Sequence, residues 1–283
     1  MDNTLKNPLI SVIITTRNEE KNLPLCLDAL EKQTLARALF EVIVVDNAST
    51  DRTAAIAEKR ADLFLEKGPE RSSQRNCGIA AAKAPIVIYL DADMRLSEKV
   101  LEECLQAMND QTCAGIYIPE IVVGQGYWIK VRNFERSFYD ATPIDGARCV
   151  RKEDFLKLGG FDTNLCGPED WDLNIKLKTL GEIKLITSPL FHDEGAFNGK
   201  RYLKKKRYYG ASFAAYRAKW PNCEDVKKQF SFFYRYFGVF TENGKWKKLF
   251  SHPLLAVGMY TLRMAVGFGY LFGKMKIKNQ EVY

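Results

Sequence analysis

Two aspartates, Asp91 and Asp93, form a D-x-D pattern directly after the apolar run at 85–90. Alternate residues of an extended chain point to the same side, so both carboxylates are expected at one side of the strand end. Paired carboxylates suit Mg²⁺ or Mn²⁺, which bind carboxylate, water and phosphate oxygens. The same residues also fit a turn followed by a helix cap. The pair alone therefore leaves a metal site and a structural turn open.

Other polar residues with metal-binding or acid–base chemistry also follow predicted elements. Asp46 ends the apolar run at 40–45, and Glu169 and Asp170 open a helical pattern. His192, one of two histidines, follows an apolar run at 183–187. Acidic residues often cap helix N-termini, and a lone histidine is often structural. Beside three acidic clusters, however, His192 also fits a metal ligand.

The elements that must position these residues alternate between strand and helix. We predict strands over 9–15, 40–45, 61–65, 85–90, 113–118 and 183–187, and helices over 23–30, 53–59, 72–82, 97–108, 152–158 and 171–180. This alternation predicts an α/β fold with a doubly wound, mainly parallel sheet, whose ligand site lies beyond the carboxyl ends of the strands. The polar loops 16–20, 46–51 and 91–95 should therefore converge on one crevice.

Composition and charge limit the class of protein. The chain has 283 residues, of which 46% are hydrophobic and 27% charged, as in a folded globular protein and unlike a disordered chain or a disulfide-stapled miniprotein. The net charge of +7 is uneven, because residues 196–283 contain 18 Lys and Arg against 4 Asp and Glu. This basic, aromatic tail predicts an anionic partner such as a phospholipid surface, a lipid diphosphate or nucleic acid.

We predict a boundary near residue 198, with a catalytic domain over 1–198 and a basic, aromatic helical tail over 199–283. The tail has a basic helical pattern at 200–216, an aromatic run at 230–240 and an apolar stretch at 253–273. That stretch has about the length of a membrane span, roughly 20 residues. Arg263 near its middle and its four glycines disfavour a span, because a buried cation is costly in lipid.

The apolar stretch is therefore predicted to lie at a membrane surface. Six lysines flank it and could contact an anionic leaflet: Lys245, Lys247, Lys248, Lys274, Lys276 and Lys278. Alternatively, the tail packs against the catalytic domain or a second subunit. The polar segment 1–8 predicts no signal peptide, and hence a domain in the cytoplasm.

Six motifs in order over residues 9–195 resemble the motif set of family 2 glycosyltransferases, which are inverting enzymes of the GT-A fold. They are SVIITTRNEE at 11–20, VDNASTD at 45–51, RNCG at 75–78, LDAD at 90–93, GGFD at 159–162 and EDWD at 169–172. The resemblance implies a mixed, mainly parallel sheet, a UDP- or GDP-sugar donor, and Mn²⁺ or Mg²⁺. The Q-x-x-R-W motif of processive polymerases is absent, the nearest segment being KKKRY at 204–208, which favours addition of a single sugar.

The resemblance also implies roles for individual residues. The first loop and the residues after it would bind the donor: Thr15, Arg17, Glu19, Asp46, Asn76 and Asp91. Asp93 and His192 would hold the metal, with Asp91 as a further ligand. Asp170 would be the general base, and Glu169 is the alternative in the same motif. Relatives often have Pro and Tyr at the positions of Thr15 and Arg17, which is a departure in the base-binding loop.

Two arginines, Arg71 and Arg75, precede and begin the third of these motifs. Their side chains could bind the phosphates of the donor, because guanidinium groups pair with phosphate oxygens. As residues of a predicted helix, they could equally lie in solvent. The sequence leaves both alternatives open.

Together these features predict a metal-dependent, inverting glycosyltransferase that adds one sugar to a lipid-linked or other glycan acceptor. We expect it at the cytoplasmic face of the membrane, peripherally bound, with the tail also available for homo-oligomer formation. The alternatives are a nucleotidyltransferase of similar layout and a non-catalytic membrane-assembly protein. A nucleotidyltransferase is expected to have a Gly-rich, Lys-bearing loop after the first strand, which this sequence lacks. No base-stacking or groove-reading motif supports binding of nucleic acid.

Overall fold

The computed structural model describes residues 7–272. Within them the strands are β1 Ile10–Thr16, β2 Phe40–Asp46, β3 Leu63–Glu66, β4 Ile86–Asp91, β5 Met94–Leu96, β6 Cys113–Tyr117, β7 Glu120–Gln125, β8 Cys149–Arg151, β9 Glu182–Leu185 and β10 Leu190–Ala196. The α-helices are α1 Leu23–Glu31, α2 Thr53–Arg60, α3 Arg71–Ala81, α4 Val100–Met108, α5 Tyr127–Arg136, α6 Lys152–Lys157, α7 Glu169–Leu177, α8 Gly199–Gly210, α9 Phe213–Lys219, α10 Glu224–Phe230, α11 Val239–Thr241, α12 Trp246–Ser251 and α13 Pro253–Phe272. Lys274, Lys276 and Lys278 lie outside the described residues.

A seven-stranded sheet in the order β3-β2-β1-β4-β8-β6-β9 forms the centre of the fold. Its strands pair in parallel except β8, which is antiparallel to both β4 and β6. Alternating residues of β1 enter two different cores: Val12 and Ile14 face one and Ile13 faces the other. Because both faces of the sheet are covered, its strands are continuous apolar runs. The predicted doubly wound, mainly parallel α/β fold is confirmed.

A second, three-stranded sheet in the order β5-β10-β7 lies beside the carboxyl end of β4. The backbone amide of Asp193 donates to the carbonyl of Asp93 over 2.9 Å, which fastens β10 next to the D-x-D turn. The sequence pattern predicted none of β5, β7, β8 and β10, nor helix α5. The four strands are short or carry polar residues, so they lack the regular apolar period of the others. Helix α5 does have an apolar face, formed by Ile129, Val131 and Phe134, which the prediction missed.

The C-terminal region is helical, as predicted, but its helices have different bounds. The basic pattern at 200–216 forms two helices, α8 and α9, with a turn at 211–212 between them. The aromatic run at 230–240 contains one turn of π-helix, Tyr234–Gly238, which is called the π turn below and is followed by α11. Helix α13 covers nearly all of the apolar stretch. Among residues 7–272, no helix combines the length and the hydropathy that crossing a bilayer requires.

One face of this region packs on the body through helix α5. Phe134 of α5 and Phe138, just after its end, share a buried cluster with Phe240, Met259 and other tail residues. Polar contacts also cross the predicted boundary: Lys219 pairs with Asp162 at 2.7 Å, and the indole of Trp220 donates to Asp172 over 2.8 Å. The boundary near residue 198 stays a prediction, but these contacts make the tail an integral part of the packed structure.

Arg263 is buried, although the apolar stretch that contains it was predicted to lie at a membrane surface. Its side chain is only 6% exposed and pairs with Glu135 of α5 at 2.7 Å. Because Arg263 faces inward, the outer side of α13 carries no charge along the stripe formed by Leu254, Val257, Thr261, Met264 and Phe268. Helix α13 therefore exposes apolar side chains and buries its cation, the reverse of an ordinary surface helix.

Candidate active site

The carboxyl ends of β1, β2 and β4 bring the first site residues together. The parallel register sets Thr15 beside Asp91 and Thr16 beside Asp46. The hydroxyl of Thr15 donates to Asp91 Oδ1 over 3.0 Å, and that of Thr16 donates to Asp46 Oδ1 over 2.7 Å. As predicted, the loops after these strands meet at one edge of the sheet.

The first and second loops are fastened to each other by hydrogen bonds. The side chain of Asn18 accepts from the amide of Thr50 over 2.8 Å, and the amide of Asn18 donates to Ser49. Asp46 is fully buried, and its carboxylate accepts from both the amide and the hydroxyl of Ser49. Asp46 therefore shapes the loop that faces the crevice, while its predicted contact with the donor stays a prediction.

Glu19 and Arg17 lie at the rim of the crevice. Arg17 is exposed, and Glu19 is partly buried with its carboxylate accepting from the side-chain nitrogen of Asn22 over 2.7 Å. Burial raises the pKa of Glu19, and the nearby carboxylates of Asp93 and Asp91 raise it further. The crevice is therefore acidic between the first loop and the D-x-D turn.

Arg75 is the structural centre of the site. Its side chain is only 1% exposed, and its guanidinium bridges Asp91 Oδ1 at 2.9 Å and Asp170 Oδ1 at 3.0 Å. It also lies over the rings of Tyr89 and Phe161. Arg75 therefore does not lie in solvent, and its predicted contact with the phosphates of the donor stays a prediction. Arg75 is a buried positioning residue that joins the D-x-D turn to the EDWD motif.

Arg71, one helical turn before Arg75, has a similar role closer to the surface. It pairs with Asp91 Oδ2 at 3.0 Å and lies 3.4 Å from Glu169 Oε1. Its guanidinium also donates to the hydroxyl of Tyr209 in α8 over 3.1 Å. Burial disfavours an ionised Asp91, but Arg75 and Arg71 hold its pKa well below the usual range. Both oxygens of Asp91 are thus engaged, so metal ligation by Asp91 would require one of these bonds to break.

Asp170 and Glu169 differ in their access to the crevice. Glu169 is 3% exposed, accepts from the amide of Gly167, and has a pKa raised by burial. The side chain of Asp170 is 22% exposed and is held by Arg75. A methyl group added at Gly146 would lie 2.9 Å from Asp170 Cβ, so this glycine makes room for the carboxylate. Asp170 is therefore the member of the pair that can meet an acceptor.

The side chain of Asn76 is bonded within the protein, and its predicted contact with the donor stays a prediction. Its side-chain nitrogen donates to the carbonyl of Phe161 and its oxygen accepts from the amide of the same residue, both over 2.9 Å. The side chain thereby fixes the turn of the GGFD motif. A donor contact by Asn76 would require these two bonds to break.

Asp93 and His192 lie together, as the metal prediction requires. His192 Nε2 is 3.3 Å from Asp93 Oδ2, and Nδ1 is 2.8 Å from Glu120 Oε1. Burial favours the neutral ring, but Asp93 and Glu120 raise the pKa of His192 to about 10. Asp93 Oδ1 is buried and has no hydrogen-bond partner in the described chain, as expected of an atom that awaits a ligand.

These residues fit a divalent cation as a two-ligand site. Within residues 7–272 no group of three or more His, Cys, Asp and Glu side chains is arranged to hold a metal ion. Mg²⁺ and Mn²⁺ are commonly held by one or two protein ligands together with water and substrate phosphates. Glu120 would orient the imidazole through Nδ1, a role that carboxylates often have behind a histidine ligand.

Glu120 and Tyr209 are the site residues that the sequence did not reveal. Glu120 begins the unpredicted strand β7, and 72 positions separate it from His192. Tyr209 belongs to the predicted tail, outside the motifs. The one available signal is the acidic residue at the start of 120–125, which follows a buried strand much as Asp91 does.

Comparison with known proteins places these motifs in a family. The family model described as "Glycosyl transferase family 2" matches residues 11–156. Glycosyltransferase AglE of Haloferax volcanii is 36% identical over 109 residues, which are 36% of this chain and 36% of AglE. Glycosyltransferase GlyG of Streptococcus pneumoniae is 26% identical over 205 residues, which are 69% of this chain and 62% of GlyG. The chain thus spans less than two thirds of the length of either relative.

Among solved structures, the mannosyltransferase PcManGT from Pyrobaculum calidifontis has a similar fold. That protein, in complex with GDP-Man and Mn²⁺, aligns with a TM-score of 0.61 and 20% identity. The alignment covers 97% of this chain and 83% of that one. The similarity therefore includes the C-terminal region as well as the central sheet.

Proposed function

Because this chain belongs to glycosyl transferase family 2, we propose that it transfers one sugar from a nucleotide-sugar donor to an acceptor hydroxyl, with inversion at the anomeric carbon. The observation that carries the proposal is the pair of carboxylates held on either side of Arg75: Asp91 at the donor side and Asp170 in the crevice. A single displacement needs a base opposite the leaving group, and it inverts the carbon.

Asp170 is assigned as the general base that takes the proton of the attacking hydroxyl. Its carboxylate is partly exposed, whereas that of Glu169 is buried and occupied by an amide. Arg75 fixes the orientation of Asp170 and itself rests on two aromatic rings. The base is thus held in place before the acceptor binds, which lowers the entropy lost in the transition state.

The donor's diphosphate is assigned to the edge formed by Asp93 and His192. A divalent ion bound there would neutralise the charge of the departing nucleoside diphosphate. The donor seen in PcManGT carries GDP and its structure holds Mn²⁺, which supports a UDP- or GDP-sugar with Mn²⁺ or Mg²⁺ for this chain. Thr15, Arg17 and Glu19 line the end of the crevice where the nucleoside would lie.

The acceptor is assigned to the membrane surface, as a lipid-linked glycan. The support is the apolar outer face of the C-terminal region, defined by Phe233, Phe250, Leu254, Val257 and Phe268, all of them more than half exposed. Large exposed apolar patches on a folded protein mark interaction sites. Lys247 beside this face could contact anionic headgroups, each such contact contributing on the order of 1 kcal/mol.

Metal-dependent release of nucleoside diphosphate tests the enzymatic part of the proposal. We expect one UDP- or GDP-sugar to be hydrolysed slowly in the presence of Mn²⁺, with loss of release in EDTA and in Asp93→Asn. Asp28→Asn, at a surface aspartate of α1, serves as the control and should behave as wild type. Release that is independent of metal, or no release from any donor, would contradict the proposal.

Co-sedimentation with phosphatidylglycerol-containing vesicles tests the membrane part. Leu254→Asp combined with Val257→Asp should release the protein from vesicles, because two charges would have to enter the interface. Leu156→Asp is a matched control, since Leu156 is exposed on the body, away from the outer face. Equal sedimentation of both variants would refute the assignment of this face.

A further inference from the structure

Basic side chains lie close together where the C-terminal region packs on α5. Fewer carboxylates lie beside them. The basic residues are Arg132 of α5, Lys206 of α8, Arg235 of the π turn and Arg263 of α13, and the acidic residues are Glu135 and Glu194. These six residues are called the joint cluster below. Their formal charges sum to an excess of positive charge at a largely buried place.

Both carboxylates of the joint cluster are already occupied. Glu135 pairs with Arg132 at 2.8 Å and with Arg263 at 2.7 Å, and Glu194 pairs with Arg132 at 3.0 Å. Their negative charge is therefore shared between two guanidinium groups. Within residues 7–272 no carboxylate forms an ion pair with Arg235, whose backbone carbonyl accepts a hydrogen bond from Arg263.

Arginine donors in the joint cluster lack partners. Nη1 of Arg235 and Nε of Arg263 are buried and have no hydrogen-bond partner in the described part of the chain. A buried unpaired donor is rare in native proteins and commonly indicates a bound ion or water. Arg263 is only 7% exposed, so packing against its neighbours fixes the position of its side chain.

The positive charges of the joint cluster also disfavour the protonated form of Lys206. Burial lowers its pKa to about 7, and repulsion from Arg132 and Arg235 contributes to the lowering. Arg132 and Arg235 thus lie close enough to disfavour a third cation beside them. An anion at this place would relieve that repulsion.

We propose that the joint cluster binds a phosphate group of the acceptor, with Arg235 as its principal donor. A phosphate offers several acceptor oxygens and a negative charge, which match the unpaired guanidinium donors and the positive excess. This assignment rests on the proposed function, because it gives the acceptor of that reaction a second point of attachment. The donor's diphosphate belongs to a different edge, at Asp93 and His192.

Arg235 lies between helix α7 and the apolar outer face. Its guanidinium carbon is 6.0 Å from the ring centroid of Trp171, the residue next to Asp170. Its chain neighbours Phe233 and Phe237 are 76% and 51% exposed. A phosphate at Arg235 would therefore have exposed apolar side chains beside it that can pack against a lipid tail.

Calorimetric titration of the full chain distinguishes a lipid phosphate from free phosphate. The probes are dihexanoyl phosphatidic acid below its micelle concentration, inorganic phosphate and dihexanoyl phosphatidylcholine. We expect phosphatidic acid to bind about tenfold or more tightly than inorganic phosphate, because apolar burial adds to the charge contact. Arg235→Gln should weaken phosphatidic acid binding about 10- to 100-fold, the value of a lost charge-assisted hydrogen bond. Lys59→Gln, at an exposed lysine of α2 on the body of the protein, is the control.

The outcomes separate this site from the donor site. Arg235→Gln should keep the thermal unfolding temperature and the affinity for UDP or GDP, so a loss of phosphatidic acid binding alone supports the proposal. Unchanged binding in Arg235→Gln, or a loss in Arg71→Gln instead, would place the phosphate in the donor site and overturn it. Equal affinities for inorganic phosphate and phosphatidic acid would overturn the assignment to a lipid-linked acceptor. If phosphatidic acid binds but no donor is hydrolysed, the proposed function fails while the anion site stands.

Discussion

Replacement of Arg75 by glutamine tests whether this side chain holds the site together. The variant removes a cation that is 1% exposed from between Asp91 and Asp170, and it leaves Asp170 without this partner and Asp91 paired with Arg71 alone. Breaking a buried ion pair by removing one partner costs about 3–5 kcal/mol. Because the two aspartates keep 17% and 22% of their side-chain surface in water, we expect a loss at the lower end, about 3 kcal/mol.

The pH dependence of that loss has a definite sign. Burial raises the pKa of Asp91, but Arg75 and Arg71 together hold it well below its usual range. A depressed carboxyl pKa contributes stability above the unfolded value of about 3.9, and this stability disappears as the pH falls through the folded value. The difference between wild type and Arg75→Gln should therefore be full at pH 7 and narrow below about pH 4.

Urea unfolding followed by circular dichroism measures this difference at several pH values. Arg52→Gln is the control, since the side chain of Arg52 is 84% exposed and its ion pair with Glu20 lies at the surface. We expect the control to stay within about 0.5 kcal/mol of wild type. An Arg75→Gln variant within about 1 kcal/mol of wild type, or a difference that persists unchanged at low pH, would refute the bridging role.

Two further predictions concern the geometry of the site. Glu120→Gln should weaken the Mn²⁺ dependence of donor binding about 10- to 100-fold, because the imidazole of His192 loses the carboxylate that orients it. Calorimetry with Mn²⁺ and UDP or GDP checks this, and unchanged metal affinity would refute it. Gly146→Ala should reduce turnover about 10- to 100-fold at unchanged donor affinity, because the added methyl group displaces Asp170. Gly199→Ala is its control, since a methyl group there meets only an ordinary contact with Phe197, and equal turnover in both variants would count against the placement of the base.

The strands that form the centre of the fold could be predicted because their apolar runs are local. β1, β2 and β4 are buried on both faces, and the polar residues at their ends mark the crevice in the sequence itself. The positions of Asp46, Asp91 and Asp93 follow from this pattern and from parallel pairing.

The contacts between distant elements could not be predicted in the same way. Arg75 looks like a helix-surface residue in the sequence, because the two carboxylates that bury it lie 16 and 95 positions away. Arg263 similarly looks like a charge at a membrane surface until Glu135, 128 positions earlier, is seen to pair with it. Periodicity reports which side of an element is apolar, but it does not report which buried charge will meet its partner.

The central claim, that Asp170 is the base of a single-displacement sugar transfer, is tested most directly by Asp170→Asn. The measurement is the rate of nucleoside diphosphate release from the active donor, together with the donor dissociation constant. We predict a rate lower by about 10²- to 10⁴-fold, the usual contribution of a positioned base, at a donor affinity within about twofold of wild type. A rate near that of wild type would contradict the assignment, and a parallel loss of donor affinity would place Asp170 in the donor site instead.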